Sequence, residues 1–318
     1  FNEYELLPRL LRDVSKIDLK TTILGLKVDS PILIAPVAMQ QMAHEEGESG
    51  TAKAAKNSNT IMTHSTISNR SIHEIGPLHD KLFFQLYFLK DRDFTSQMLQ
   101  DCKALGYKAI VFTVDAPRLG TRERDERNSF KMPDNLRLGN FVGTKFENFD
   151  KMEEHSGSSM NLHSDNLFDP SLTFEVIPWI KEKSGLPVLV KGILRPDDAT
   201  QALNYGADGI VISNHGGRQL DTAVPTLKQI EPIRNTVGYE PLIIVDGGIR
   251  RGTDILKCIA LGADAVQIGR PLLWGLQHKG QKGVELVLEI LKQELIETMI
   301  LSGCKNLNEI TRDLVVKV

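Results

Sequence analysis

Short apolar runs recur along the chain, each ending at a polar or glycine-rich stretch and leading into a segment with helical spacing. They fall at 31–36 (PILIAP), 60–65 (TIMTHS), 83–87 (FFQLY) and 109–113 (AIVFT), and after a long gap at 187–191 (PVLVK), 209–213 (GIVIS), 241–246 (PLIIVD) and 264–269 (DAVQIG). Brief runs rich in β-branched side chains suit parallel strands buried on both faces. Between them, stretches such as 197–205 and 253–261 carry apolar residues at helical spacing. Strand alternating with helix in this way predicts an α/β fold, a single-domain TIM (β/α)8 barrel over 1–318.

The spacing breaks once, between Thr113 and Pro187. That interval includes 139–170, rich in Gly, Ser, Asn and acidic residues, and predicts a long loop after strand 4. Long barrel loops are either lids or disordered insertions, and a lid is expected because this one leaves the C-terminal face where barrel active sites lie. The amphipathic stretch 283–299, with Val284, Val287, Leu288, Leu291 and Leu295 on one face, is expected to be the final barrel helix.

Composition narrows the class. The 318 residues are 41% hydrophobic and 25% charged, with a formal net charge of −3. A nucleic-acid or membrane-surface binder would carry a basic excess, and no apolar run reaches the length of a membrane span. Cys102, Cys258 and Cys304 are scattered, which fits buried thiols in a reducing compartment. No signal peptide precedes Phe1 and no Ser-Lys-Leu ends the chain at Val318. The expectation is an intracellular soluble protein, cytoplasmic or peroxisomal.

Polar residues gather where the runs end. Gln85 and Tyr87 close the third, Thr113 and Asp115 the fourth, and Lys191 the fifth. Ser213-Asn-His215-Gly-Gly-Arg218 follows the sixth, Asp246-Gly-Gly-Ile-Arg250 the seventh, and Gly269-Arg270 the eighth. Any one of these could be a solvated rim. Together on one barrel face they predict a site, because buried polar groups need partners. The glycines and arginines after strands 7 and 8 stand where such barrels bind a phosphate. Neither Gly-x-Gly-x-x-Gly nor Gly-x4-Gly-Lys-Ser/Thr occurs after a strand, so a dinucleotide or triphosphate is not indicated. His215 beside Arg218 suits removal of a proton from an anionic substrate whose carboxylate the guanidinium grips. The eight histidines show no metal-ligand spacing, and no metal is expected.

The run Ser213-Asn-His-Gly-Gly-Arg-Gln-Leu-Asp221 closely resembles the signature of the FMN-dependent L-2-hydroxy acid oxidase and dehydrogenase family. Further blocks of that family stand in order at 34–39 (IAPVAM), 85–87 (QLY), 113–115 (TVD), 189–192 (LVKG), 246–250 (DGGIR) and 268–271 (IGRP). The resemblance covers essentially the whole chain. It implies an FMN-dependent (S)-2-hydroxy-acid oxidase converting a small L-2-hydroxy acid, L-lactate or glycolate, to the 2-oxo acid, with reduced flavin reoxidised by O2 to give H2O2. It implies that His215 takes the substrate's α-proton, or its hydroxyl proton if the electrons leave as hydride, and that Asp115 stabilises the imidazolium. By the same resemblance Arg122 and Arg218 bind the substrate carboxylate, Tyr87 hydrogen-bonds substrate, and Lys191 stabilises negative charge on reduced flavin. Pro36, Val37, Ala38, Ser65, Gln85, Thr113 and Ser213 would lie along the ring and ribityl chain, with Asp246, Gly248, Arg250, Gly269 and Arg270 at ribityl and phosphate. A homotetramer is a common assembly in the family.

Three features depart from the pattern. The family's N-terminal segment, with a substrate-binding tyrosine, has no counterpart here, because Phe1 aligns with the lead into the first strand. Val37 stands where glycolate oxidases often have Thr, and Ile67 where plant glycolate oxidases have Trp. An aliphatic residue at 67 resembles the lactate-oxidising members, so L-lactate is expected over glycolate. Competing readings are a catalytically silent or truncated FMN-binding barrel and a related FMN-dependent isomerase.

Overall fold

The computed structural model describes residues 1–147 and 167–318. Eight parallel strands close into a barrel in chain order. They are β1 (Ile32–Ile34), β2 (Met62–Ser65), β3 (Leu82–Leu86), β4 (Ala109–Thr113), β5 (Val188–Ile193), β6 (Gly209–Ile212), β7 (Leu242–Asp246) and β8 (Ala265–Ile268). β8 pairs back onto β1 through Val266 and Ile32, which closes the ring. Each strand coincides with one of the apolar runs above, β3 starting one residue earlier and β5 running two residues further, so the expected barrel is the observed one.

The helices form the outer layer: α1 (Gly47–Asn57), α2 (Ile72–Ile75), α3 (Arg92–Ala104), α4 (Val176–Ser184), α5 (Pro196–Asn204), α6 (Leu227–Val237), α7 (Gly252–Ala260) and α8 (Arg270–Ser302). A hairpin of Thr21–Ile23 and Leu26–Val28 precedes the barrel, and Tyr4–Leu6 pairs with Val315–Lys317.

Side chains of the strands alternate between two cores, as a period of two requires. Ile32, Ile34, Phe84, Ile110, Val190, Ile212 and Val245 pack outward with the helices. Leu33, Phe83, Val111, Leu189, Val211, Ile244 and Ala265 form a separate inner cluster, which also contains Ile23 and Val28 of the hairpin. Two residues further along the same inward rows stand Ala35, Gln85, Thr113, Lys191, Ser213, Asp246 and Gln267. The lower interior is therefore dry and the upper interior polar.

Two expectations need adjustment. The last helical segment does not begin at 283. It opens at Arg270, directly after β8, and breaks at Lys279 and Gly280, whose backbone leaves helical geometry. The break folds the helix back so that Gly275 and Gly283 touch, and a Cβ on Gly283 would overlap the Gly275 carbonyl. Of the expected lid, 148–166 lies outside the described residues. Its flanks are placed: Asn140 donates to Thr66 O (2.9 Å) and accepts from Ile72 N (2.8 Å), and Phe168 stacks on Tyr87 with centroids 4.8 Å apart. Among the described residues no helix is long and apolar enough to cross a membrane.

The glycine contact gives a test. Gly283→Ala should destabilise by about 3 kcal/mol, the range of an overpacked core, seen as a lowered unfolding midpoint. Leu301→Ala, at a side chain 67% exposed, is the control expected to leave it in place. An unchanged midpoint in Gly283→Ala would contradict the close approach.

Candidate active site

The upper interior opens into one cavity at the C-terminal mouth. Its wall brings together Pro36, Val37 and Ala38 from the loop after β1, then Ser65, Gln85, Tyr87, Thr113, Arg122, Lys191, His215 and Arg218. Asp246, Gly248, Arg250, Gly269 and Arg270 continue the wall on the β7–β8 side. Asp115 and Ser213 stand behind it and reach the site only through the groups they hold.

His215 is fixed from both sides. Its backbone is left-handed (φ 56°), an uncommon state for a residue with a side chain. Its Nδ1 lies 2.9 Å from Asp115 Oδ1. A carboxylate can only accept, so Nδ1 carries the proton and Nε2 presents its lone pair to Tyr87 Oη at 3.2 Å. Burial raises the Tyr87 pKa, with Asp115 adding to the effect, so the phenol stays protonated and donates. Asp115 can sit here because Gly192 bends β5 beneath it with φ 112°; a Cβ on Gly192 would stand 2.7 Å from that of Asp115. Gln219 pins the Asp115 carbonyl from the far side at 2.8 Å.

Lys191 is the buried cation of the interior. Its Nζ donates to Ser213 Oγ at 2.7 Å and pairs with Asp246 Oδ2 at 2.9 Å. Ser213 Oγ in turn accepts from the backbone N–H of His215 (3.0 Å), tying the ammonium to the histidine loop. Next to it, Ser65 Oγ donates to Gln85 Oε1 and Gln85 Nε2 to Thr113 Oγ1, both at 3.0 Å, so this arc is prearranged before any ligand arrives.

The two ends of the cavity are cationic. Arg122 and Arg218 share the side near His215, and Arg250 and Arg270 the side of β7 and β8. Desolvation and then the nearby Arg122 lower the Arg218 pKa, while desolvation and Arg270 lower that of Arg250. Like charges held together in this way are relieved by an anion. Five cationic side chains line the wall against one carboxylate, Asp246. The geometry calls for two anionic groups, one at each end.

The β7–β8 end suits a phosphate. α8 begins at Arg270 on the cavity wall, so the positive end of its dipole lies at this end of the cavity. A Cβ on Gly269 would meet nothing nearer than 3.9 Å, so its absence leaves room for a ligand at the backbone. Buried polar atoms without partners mark the rest of the groove: Asp246 Oδ1, Gln267 Oε1 and Arg122 Nε. Such atoms are costly unless a ligand satisfies them. The residues fit a long polar ligand with a terminal phosphate, as FMN is.

Of the other wall residues, Met39, Gly216, Gly247 and Ile249 stand inside the quoted motifs without a role of their own, and Gln267 and Leu273 were not singled out. Gln267 could have been found: it is a polar residue inside the apolar strand β8, 1% exposed, with Nε2 bonded to Thr63 Oγ1 at 3.0 Å. Ile67, singled out for the substrate pocket, is buried and is not among the wall residues. Its carbonyl accepts from Met39 N at 3.1 Å, and Met39 stands in the wall instead.

A TIM barrel with a phosphate cradle at β7–β8 and a carboxylate-held histidine beside two arginines defines a class, the barrel enzymes that hold a phosphorylated cofactor against an anionic substrate. The model of the FMN-dependent dehydrogenase family matches residues 1–317, and the chain belongs to that family. Its cofactor is FMN. Similar proteins include a 2-hydroxyacid oxidase of Dictyostelium discoideum, 45% identical over 99% of this chain and 80% of its own. An L-lactate oxidase of Nostoc sp. is 45% identical over 98% of this chain and 86% of its own, and the glycolate oxidase of Spinacia oleracea 44% over 96% and 82%. The crystal structure of mandelate oxidase with (S)-4-hydroxymandelic acid superimposes with a TM-score of 0.93 at 38% identity, covering 98% of this chain and 86% of that one.

The unsatisfied Gln267 Oε1 yields a binding prediction. Gln267→Leu should weaken FMN roughly tenfold, the worth of one hydrogen bond at a buried site, measured by quenching of free FMN fluorescence on titration with apoprotein. Equal affinities would remove Gln267 from the cofactor site.

Proposed function

We propose that this protein oxidises a small L-2-hydroxy acid to the 2-oxo acid, with O2 as the electron acceptor and H2O2 as its product. The observation that carries the reading is the pairing of an Nε2 lone pair, fixed by Asp115 at Nδ1, with the guanidinium groups of Arg122 and Arg218 in the same cavity. The two-electron balance closes: the hydroxy acid gives up two electrons and two protons, and O2 takes up both. FMN supplies the two-electron acceptor when bound.

The chain's own residues supply the rest. Arg122 and Arg218 bind the substrate carboxylate and orient the α-carbon. Tyr87 Oη hydrogen-bonds the substrate. His215 Nε2 takes a substrate proton, and Asp115, fixed 2.9 Å from Nδ1, stabilises the imidazolium that forms. Lys191 provides a buried positive charge that favours the extra negative charge of the reduced cofactor. Asp246, Gly248, Arg250, Gly269 and Arg270 hold ribityl and phosphate, while Pro36, Val37, Ala38, Ser65, Gln85, Thr113 and, through Lys191, Ser213 shape the ring site. Assembly as a homotetramer belongs to the same reading and is checked by light scattering.

Anaerobic titration of the FMN-loaded protein with L-lactate should abolish the flavin's visible band, and air should restore it with H2O2 release. His215→Gln should slow the reduction by roughly 100- to 10,000-fold, the usual contribution of a positioned general base, while leaving FMN bound. Persistence of the yellow band with every small L-2-hydroxy acid would favour a silent FMN barrel. On substrate choice, the preference for L-lactate over glycolate rests on the resemblance of the aliphatic Ile67 to the lactate-oxidising members, since Ile67 does not itself line the cavity. Steady-state kcat/KM tenfold in favour of glycolate, a difference of about 1.4 kcal/mol, would reverse that preference.

A further inference from the structure

Glu48 has no part in the chemistry above, yet it is a fully buried carboxyl beside the cavity. It sits in the first turn of α1, and its side chain reaches back over the barrel mouth. One oxygen, Oε1, accepts from Gln40 N and from Asn69 N, each at 3.0 Å. Gln40 follows Val37, Ala38 and Met39 of the cavity wall, and Asn69 belongs to the loop leaving Ser65. A single atom therefore joins the loops after β1 and β2.

The bonds around it run in the same sense. Met39 N donates to Ile67 O (3.1 Å) and Gln41 N to Asn69 Oδ1 (3.0 Å), again across the two loops. Gln40 Nε2 donates to Val37 O at 3.2 Å, and Thr51 Oγ1 of α1 donates to Gln40 Oε1 at 2.5 Å. What this network restrains is strained. Met39 is left-handed, with φ 50° and ψ 50°, at the point where the turn faces the cavity. Such a conformation persists when its surroundings over-determine it. Met39 is not a glycine, so the strain must be met by contacts: its own N–H on Ile67 O, and Glu48 Oε1 on the N–H of the next residue, Gln40.

We propose that Glu48 is a positioning residue for the oxidation: its Oε1 locks the two loops together and so fixes the Val37–Met39 turn that walls the FMN and substrate cavity. The second oxygen, Oε2, is buried without a partner. Both donors fall on the one oxygen, which an amide carbonyl can reproduce, while burial raises the carboxyl's pKa against them. A neutral amide of the same shape should then replace it, whereas a methyl group should not. This inference rests on the function proposed above.

The test uses the FMN-loaded protein carrying Glu48→Gln, Glu48→Asp or Glu48→Ala, with Ile180→Ala in α4 as a fully buried cavity variant elsewhere in the shell. Anaerobic reduction by L-lactate, the flavin's visible spectrum and the FMN Kd are measured below the unfolding range of each. Glu48→Ala should slow reduction roughly ten- to a hundredfold, as a displaced wall does, and shift the flavin band. Glu48→Asp should fall between, and Glu48→Gln should stay within about threefold of the parent, since one neutral acceptor replaces a charged one. Ile180→Ala should lose stability with rate and spectrum unchanged. A parental rate and spectrum in Glu48→Ala, or the same loss in Ile180→Ala, overturns the proposal. If Glu48→Ala does not fold, equal rates in Glu48→Asp and Glu48→Gln overturn it. If the parent is not reduced, the proposed oxidation fails, and spectrum and FMN Kd across the variants still decide the role of Glu48.

Discussion

Closing parallel strands into a ring forces every second side chain of each strand into one narrow interior, and the site depends on how that interior is filled. Leu33, Phe83, Val111, Leu189, Val211, Ile244 and Ala265 fill the lower part and exclude water. The next inward position on each strand is then held at fixed height by a packed layer beneath it. Gln85, Thr113, Lys191, Asp246 and Gln267 occupy those positions, so the polar floor of the cavity is as rigid as the core below. A register slip of one residue in any strand would turn its polar group into the helix layer.

Burial on this floor makes the charges consequential. Lys191 and Asp246 are both nearly inaccessible, and each is tolerable only because the other is there. The pair leaves Asp246 Oδ1 without a partner, which keeps one acceptor for a ligand. Higher up, the charges stop balancing: desolvation, and then the neighbouring guanidinium groups, lower the pKa of Arg218 and of Arg250. The free protein thus carries electrostatic strain that anions at both ends would relieve. The same arrangement that would hold an anionic ligand in place would thus be stabilised by its arrival.

The architecture was legible in the sequence because it rests on local patterns: buried parallel strands read as apolar runs, and the polar residue ending each run marks the mouth. Lys191 in PVLVK and Asp246 in PLIIVD are visible for that reason. Gln267 obeys the same rule inside DAVQIG and was missed because Gly269 and Arg270 just beyond it carried the stronger signal. The fold-back of α8 was not legible, since the contact of Gly275 with Gly283 depends on backbone approach, and neither glycine has a side chain to announce it. The placement of Ile67 behind Met39 has a similar cause: which of two neighbouring loops faces the cavity is decided by the left-handed turn at Met39, a backbone state that apolar periodicity does not encode.

Two histidines show how context sets what the same side chain is free to do. His64 also lies in an apolar run, but it points into the shell, bonded to Tyr107 Oη at 2.8 Å and Arg70 O at 3.0 Å. Full burial without a carboxylate partner pushes its pKa down to about 4, so it stays neutral and serves packing. His215 has the opposite setting: a left-handed loop at the mouth, a carboxylate on Nδ1, and an open cavity on the side of Nε2. Both nitrogens of His64 are spent on the fold, whereas His215 has one nitrogen held by a carboxylate and the other turned to Tyr87 Oη and the cavity.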